Sequence, residues 1–259
     1  MKSQRLSSCL LVVLALSVQF TLSAAPTILN PSFELNATPT NFPGYMNGNS
    51  PIIGWTTNDP ARCGLNPGTN FSPFADNGSI PNGTRVAFIQ STGGTTTLST
   101  TITGLTAGTW YRVQFRANSR IATSLVGAAY KVDGGAAMSF TAPAGVYRVV
   151  NALFQATATT AALEISNRTT ADSTLLVDDF TISAATPTVV TTAADNVAGS
   201  LRTALTTAAG TLAFNVITFA AGLNGATLTL TAGQITVNDS GGVVIDAGAL
   251  SNGFILNGA

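Results

Sequence analysis

The chain contains no histidine. Its absence excludes Ser-His-Asp and Cys-His catalysis, histidine-ligated zinc and histidine general bases. Any chemistry would fall to carboxylates, arginine or a hard cation. Cysteine is almost as scarce, with only Cys9 and Cys63. Cys9 lies in the N-terminal leader, so a mature chain keeps one thiol and no intrachain disulfide. Stability must then come from burial. Charge is sparse too: 8% of residues are Asp, Glu, Lys or Arg, against ~25% in average soluble domains. Acids and bases balance at 11 each, and lysine occurs only as Lys2 and Lys131. Nucleic acid and anionic membrane both require clustered cations, so neither is expected as a partner.

What is present begins with a secretory signal over residues 1–25. Lys2 and Arg5 form a basic start, Cys9 to Phe20 an apolar centre, and Ser23-Ala24-Ala25 a small-residue cleavage site. The apolar run falls short of the ~20 residues that span a bilayer, so no membrane insertion is expected after cleavage. The protein reads as secreted or displayed at the cell surface.

Beyond the leader, helical periodicity is scarce. Short apolar runs alternate with turn signals such as Asn77-Gly78, Asn82-Gly83 and Asp133-Gly134. This punctuation predicts an all-β sandwich or barrel. Trp110 to Arg116 has a period of two. Tyr111, Val113 and Phe115 are expected to face inward, and Trp110, Arg112, Gln114 and Arg116 outward. Further strands are expected around Phe140 and over Tyr147–Gln155, Leu163–Ser166 and Leu175–Ile182. A linker is expected at residues 184–187. After it, Gly199 to Leu205 predicts a short helix with Ser200 as N-cap. Strands are expected at Val216–Phe219, Ala226–Leu230, Ile235–Val237, Val243–Ile245 and Phe254–Leu256, with Ile217, Ile235 and Phe254 marking a coil-like period.

Two residue sets carry functional expectations. A sugar site needs an aromatic face for the apolar side of a ring and planar polar groups for its hydroxyls. Trp110, Arg112 and Gln114 offer both on one strand face; Tyr45, Phe71 and Phe74 lie in Pro- and Asn-rich loops and could line a site. The same face could instead be covered by a loop or by the second module. Asp178 shares the parity of Phe180 and Ile182, which should face the core. An inward carboxylate must be paired, protonated or bound to a cation.

NPSFE at Asn30–Glu34, IIGWTT at Ile52–Thr57, ITGLTAGTWYRVQF at Ile102–Phe115 and STLLVDDFTI at Ser173–Ile182 stand in order. This set resembles the galactose-binding-like jelly rolls that include many carbohydrate-binding modules. The resemblance covers Pro26–Ser183. It implies a non-catalytic sandwich that binds a polysaccharide or glycan, with a structural calcium at Glu34 and Asp178. VTTAADNVAGSLRTAL at Val190–Leu205 and the stretch Asn215–Ala247 resemble the N-terminal start of right-handed parallel β-helices of secreted bacterial surface proteins. That resemblance implies a capping helix at Gly199–Arg202 and a coil array over 188–259 that is truncated here.

The expected fold is therefore all-β: a jelly-roll sandwich over 26–183, then the first coils of a parallel β-helix. The expected function is non-catalytic carbohydrate binding, with the coils as stalk or adhesive repeats. One alternative is an N-terminal fragment of a β-helical polysaccharide lyase or hydrolase. After the capping segment Asp239 and Asp246 are the only acids, and no Arg or Lys follows Arg202, so such a fragment would be inactive. The other alternative is a structural module with no ligand.

Overall fold

The computed structural model describes residues 25–37, 44–48, 51–66, 78–120 and 125–258. The leader, Phe71 and Phe74 lie outside the described residues. Two layers of antiparallel strands come first. Their strands are β1 (Thr27–Ile28), β2 (Trp55–Thr57), β3 (Cys63–Asn66), β4 (Val86–Ser91), β5 (Thr96–Thr103) and β6 (Trp110–Ser119). The set continues with β7 (Leu125–Val132), β8 (Met138–Ala142), β9 (Arg148–Gln155), β10 (Thr160–Asn167) and β11 (Ser173–Ala184). One sheet runs β1-β5-β10-β7-β8, with β2 also on β5; the other runs β3-β4-β11-β6-β9. The chain is an all-β protein built on this sandwich.

Alternation sets the layers, because successive side chains in a strand leave on opposite faces. In β6, Tyr111, Val113, Phe115 and Ala117 enter the core, and Trp110, Arg112, Gln114 and Arg116 leave it, as the sequence pattern predicts. The core is centred on Phe180. Its ring stacks on Phe115 at 5.0 Å and meets Trp55 at 4.9 Å and Phe33 at 6.1 Å, edge-on to the last. Trp55 is a core residue, and its Nε1 donates to the Asn30 carbonyl at 3.2 Å. The Phe180 N–H donates to the Pro31 carbonyl at 2.9 Å. The opening NPSFE segment is thus docked on the closing strand, which explains why these two motifs bracket the module. Cys63 is buried and unpaired, and burial pushes its thiol up to about 12.

The inward expectation for Asp178 needs correcting. Phe180 does face the core, and so does Val177. Between them β11 bulges: its register against β6 shifts between Asp178 and Thr181, and Asp179 takes φ 56°. A bulge inserts one residue into the alternation. Asp178 therefore leaves on the far face of its sheet, beside Leu176, yet is fully buried there under loops.

The second module comprises β12 (Thr186–Val190), α1 (Leu201–Ala209), β13 (Asn215–Phe219), β14 (Thr227–Leu230), β15 (Val243–Ile245) and β16 (Ile255–Gly258). Its strands pair in parallel, β12-β13-β15 and β14-β16. Thr186 pairs with Asn215, Asn215 with Val243, and Thr227 with Ile255. The chain thus returns to one sheet position every 29 or 28 residues, not at the spacing of Ile217, Ile235 and Phe254. No strand forms at Ile235–Val237. The expected linker at 184–187 is instead strand, broken only at Ala185. Ala185 donates to the Trp110 carbonyl at 2.8 Å and Thr186 to that of Phe214 at 2.7 Å.

Helix α1 starts where expected, with Ser200 accepting from the Thr203 N–H. Leu201, Ala204, Leu205 and Ala208 form its buried stripe. One ion pair fixes it to the strands. Arg202 donates through Nε and Nη2 to the two carboxylate oxygens of Asp195 at 2.8 and 2.9 Å, and to the carbonyls of Gln234 and Gly233. Asp195 also accepts from the Thr231 and Ala232 N–H groups. The Arg202 guanidinium, with those N–H groups, holds the Asp195 carboxyl below the usual carboxylate range. Arg202→Ala should speed hydrogen exchange at the Thr231 and Ala232 amides at least tenfold, while the exposed-site control Arg148→Ala leaves them unchanged. Equal exchange in both variants would show that the pair does not hold the turn.

Candidate functional site

The outward face of the second sandwich sheet holds most of the expected site residues, but divides into two environments. At the Trp110 end it meets the parallel module. Phe214, just before β13, and Val216, on its face away from the module's own core, pack with Ala185 against Trp110 and Val244. The Arg112 guanidinium lies 5.6 Å over the Phe214 ring and donates to the Gly241 carbonyl. Trp110 donates through Nε1 to the Asp246 carboxylate at 3.1 Å. The second module thus covers much of the face that the sequence offered as an open platform. Arg112 is consumed by that contact.

Trp110 is only partly covered. A pocket of about 260 Å³ remains beside it, lined by Gly108, Thr109, Trp110 and Gln155 from the sandwich, Ala185 and Pro187 from the connection, and Val216, Thr218 and Asp246 from the parallel module. Gln155 is held at the pocket by its amide, which donates to the Gly108 carbonyl at 2.9 Å. That bond leaves its side-chain oxygen as an acceptor. Asp246 is fixed by accepting from the Gly248 N–H at 2.8 Å as well as from Trp110. The pocket joins an indole and small apolar groups to an amide, a carboxylate and two threonines.

Gln114 and Tyr45 are not part of this pocket. Gln114 donates to Asn151 on the neighbouring strand β9 at 3.1 Å. Tyr45 stands edge-on to Phe88 and donates to Gln90 at 2.8 Å, at another part of the sheet. The structure therefore brings Trp110 and Arg112 to the junction and does not bring Gln114 or Tyr45 to them.

At the other end of the same face lies Asp178. Its Oδ2 accepts from the Asn82 N–H at 2.9 Å, and among the described residues its Oδ1 has no partner. Burial pushes its carboxyl up to about 8, against the lowering effect of that hydrogen bond. Tyr147 is buried nearby, its hydroxyl also without a partner among the described residues, and burial raises its pKa too. Arg116 pairs with Asp179 at 3.3 Å. Arg116 and Tyr147 line a hollow of about 410 Å³ with Gly78, Ser79, Pro81, Gly145 and Val146.

The expected calcium does not fit Glu34 as it stands. Oε1 accepts from the Thr84 and Arg85 N–H groups, both at 2.7 Å. Oε2 accepts from the Thr84 hydroxyl at 3.1 Å and from the Arg85 guanidinium at 2.6 Å. A cation would have to displace a guanidinium and two backbone donors. The hydrogen bonds prevail over burial, so the Glu34 carboxyl is held below its ordinary range. Among the described residues, no group of three or more Asp, Glu, His or Cys side chains is placed to hold a metal ion.

Gln155 and Tyr147 carried no expectation, and Asp246 none as a partner of Trp110. Gln155 had a usable signal, since it lies directly opposite Trp110 in the β6–β9 register and shares its outward parity. Asp246 had none, because its contact with Trp110 spans 136 residues of chain.

No curated protein sequence matches the chain. Among solved structures, it is similar to TmCBM61 in complex with β-1,4-galactotriose, at 20% identity over 60% of this chain and 95% of that one, with a TM-score of 0.37. It is similar to the CBM22-1 xylan-binding domain of Paenibacillus barcinonensis Xyn10C, at 15% identity over 59% and 90%, with a TM-score of 0.38. A third likeness is the N-terminal cellulose-binding domain of Cellulomonas fimi β-1,4-glucanase C, at 17% identity over 51% and 90%, with a TM-score of 0.30. Among the described residues, no helix is long and apolar enough to cross a membrane. The HpiC1-like family, described as HpiC1 cyclase, matches residues 24–160. That match takes in most of the sandwich and more than half of the 259 residues, so the chain belongs to the HpiC1-like family.

Proposed function

We propose that this chain is a secreted, non-catalytic carbohydrate-binding protein whose ligand occupies the junction pocket. The parallel module is then read as the first coils of a β-helix that carries the sandwich as a stalk. The observation that supports this most is the position of Trp110. Its ring lines a pocket that also holds Gln155, Asp246, Thr109 and Thr218. An aromatic face with a few convergent polar groups is what recognition of a sugar ring requires. The Trp110 bond to Asp246 fixes the ring before a ligand arrives, which lowers the ordering cost of binding.

A glycan array and calorimetry on the full chain would test the reading. Binding should appear on neutral polysaccharides and fall at least tenfold in Gln155→Ala. Gln155 is exposed on an edge strand, so this variant should keep the fold. Trp110→Ala should abolish binding. An array without a hit would remove the reading.

A second reading is favoured by the described name of the family, a cyclase, together with one feature of this chain. Asp178 is a buried carboxyl that keeps its proton to about 8, beside the buried phenol of Tyr147. Such a group can serve as a proton donor, and Tyr147 stands between it and the hollow that Tyr147 and Arg116 line. Asp178→Asn would then stop turnover while leaving glycan binding intact. Equal turnover in that variant would discard the cyclase reading.

A further inference from the structure

We infer that the junction pocket takes a single uncharged sugar ring at the end of a chain, and not an internal stretch of polysaccharide. The inference rests on the carbohydrate-binding reading and adds the ligand's size, charge and mode of entry.

Size comes first. The pocket is half open and has a volume of about 260 Å³, below the ~300–1,000 Å³ of sites for drug-sized ligands. One ring and its hydroxyls use that space, and a second ring would need as much again. Entry follows from which elements supply the walls. The sandwich contributes Trp110 and Gln155, the connection contributes Pro187, and the parallel module contributes Thr218 and Asp246. An internal sugar needs an open path on both sides, as a sheet-face groove would give. Here the second module stands across the sheet face immediately beyond Trp110, with the Arg112 side chain seated on Phe214 and on the Gly241 carbonyl. The covered direction blocks one side of the path.

Charge is set by Asp246. Its carboxylate lines the pocket, accepts hydrogen bonds and repels an anionic ring. The two cations on the same strand face do not line the pocket: Arg112 is committed to the junction and Arg116 pairs with Asp179. A uronate would therefore meet a carboxylate with no compensating guanidinium, whereas a neutral ring would offer hydroxyl donors to Asp246 and Gln155.

The test titrates the full chain with a neutral methyl glycoside, the matching uronate, and neutral oligosaccharides of increasing length, read by tryptophan fluorescence. Trp55 is buried in the core, so a ligand-dependent change reports on Trp110. The methyl glycoside should compete completely with the oligosaccharides, with a Kd within tenfold of theirs. The uronate should bind at least tenfold more weakly, and Asp246→Asn should narrow that gap. Thr218→Phe should fill the pocket and remove binding while leaving the sandwich core unaltered, since Thr218 belongs to the parallel module. Affinity that climbs with each added sugar, with no competition by the methyl glycoside, would overturn the end-on inference and leave carbohydrate binding standing. Absence of binding by every saccharide, at any length, would overturn both.

Discussion

Phe180→Ala should lower the stability of the sandwich by about 3–5 kcal/mol, the usual range for removing a buried aromatic ring from a core. Phe180 is 3% exposed and touches three other aromatics, Phe33, Trp55 and Phe115. Those three come from the opening segment, β2 and β6, so the ring ties four pieces of chain together. Truncation would leave a cavity bounded by stiff rings that cannot collapse to fill it. It would also remove aromatic pairings worth about 0.5–1.5 kcal/mol beyond buried area. Phe180→Leu keeps most of the volume and should cost less than about half as much. Urea denaturation followed through Trp55 emission would measure both. A loss under about 1 kcal/mol for the alanine variant would show that the opening segment does not depend on this ring. The bond from the Phe180 N–H to Pro31 is made by the backbone, so the side-chain change leaves it available and isolates the packing effect.

The core around Phe180 was legible in the sequence because alternation is a local property. The pattern in β6 assigns Tyr111, Val113 and Phe115 to one face from seven consecutive residues, and the structure keeps that assignment. The N-cap at Ser200 was legible for the same reason, since a hydroxyl before a helix start bonds only three residues ahead. Asp178 failed for a reason equally local but unsignalled. Its bulge needs a positive φ at Asp179, a conformation that Asp tolerates better than most residues, and no glycine marks the spot. The cover over Trp110 failed because it is not local at all. Phe214, Gly241 and Asp246 reach the sandwich from about a hundred or more residues away, and no pattern within either module encodes their docking. The coil spacing failed because Thr- and Val-rich strands repeat at several offsets. Only the backbone register separates a return of 28 residues from the shorter one suggested by Ile217, Ile235 and Phe254.

The missing histidine makes a second result measurable: stability should fall as pH rises from about 4 to about 8, and Asp178 should be the cause. The Asp178 carboxyl is pushed up to about 8 in the folded chain from an ordinary 3.8. Below about pH 4 the group is protonated in both folded and unfolded states, and its contribution is fully present. Between about 4 and 8 the unfolded chain releases the proton and the folded chain keeps it, so unfolding gains free energy with each rise in pH. Above about 8 both states are ionised and the slope ends. At ~1.4 kcal/mol for each pH unit between the two values, the loss from pH 5 to pH 8 is about 3–4 kcal/mol. The depressed carboxyls of Asp195 and Glu34 act in the opposite sense, but their windows lie below their ordinary values of 3.8 and 4.5, outside the pH 5–8 comparison. Histidine is absent, and burial pushes the Cys63 thiol to about 12, so neither residue type titrates across the range. Asp178→Asn keeps an oxygen to accept the Asn82 N–H and cannot ionise. Its urea midpoint should therefore be nearly flat from pH 5 to 8, with the wild type crossing below it as pH rises. A wild type equally stable at pH 5 and pH 8 would show that Asp178 is ionised and solvated in the folded chain, which would also remove the basis for treating it as a proton donor.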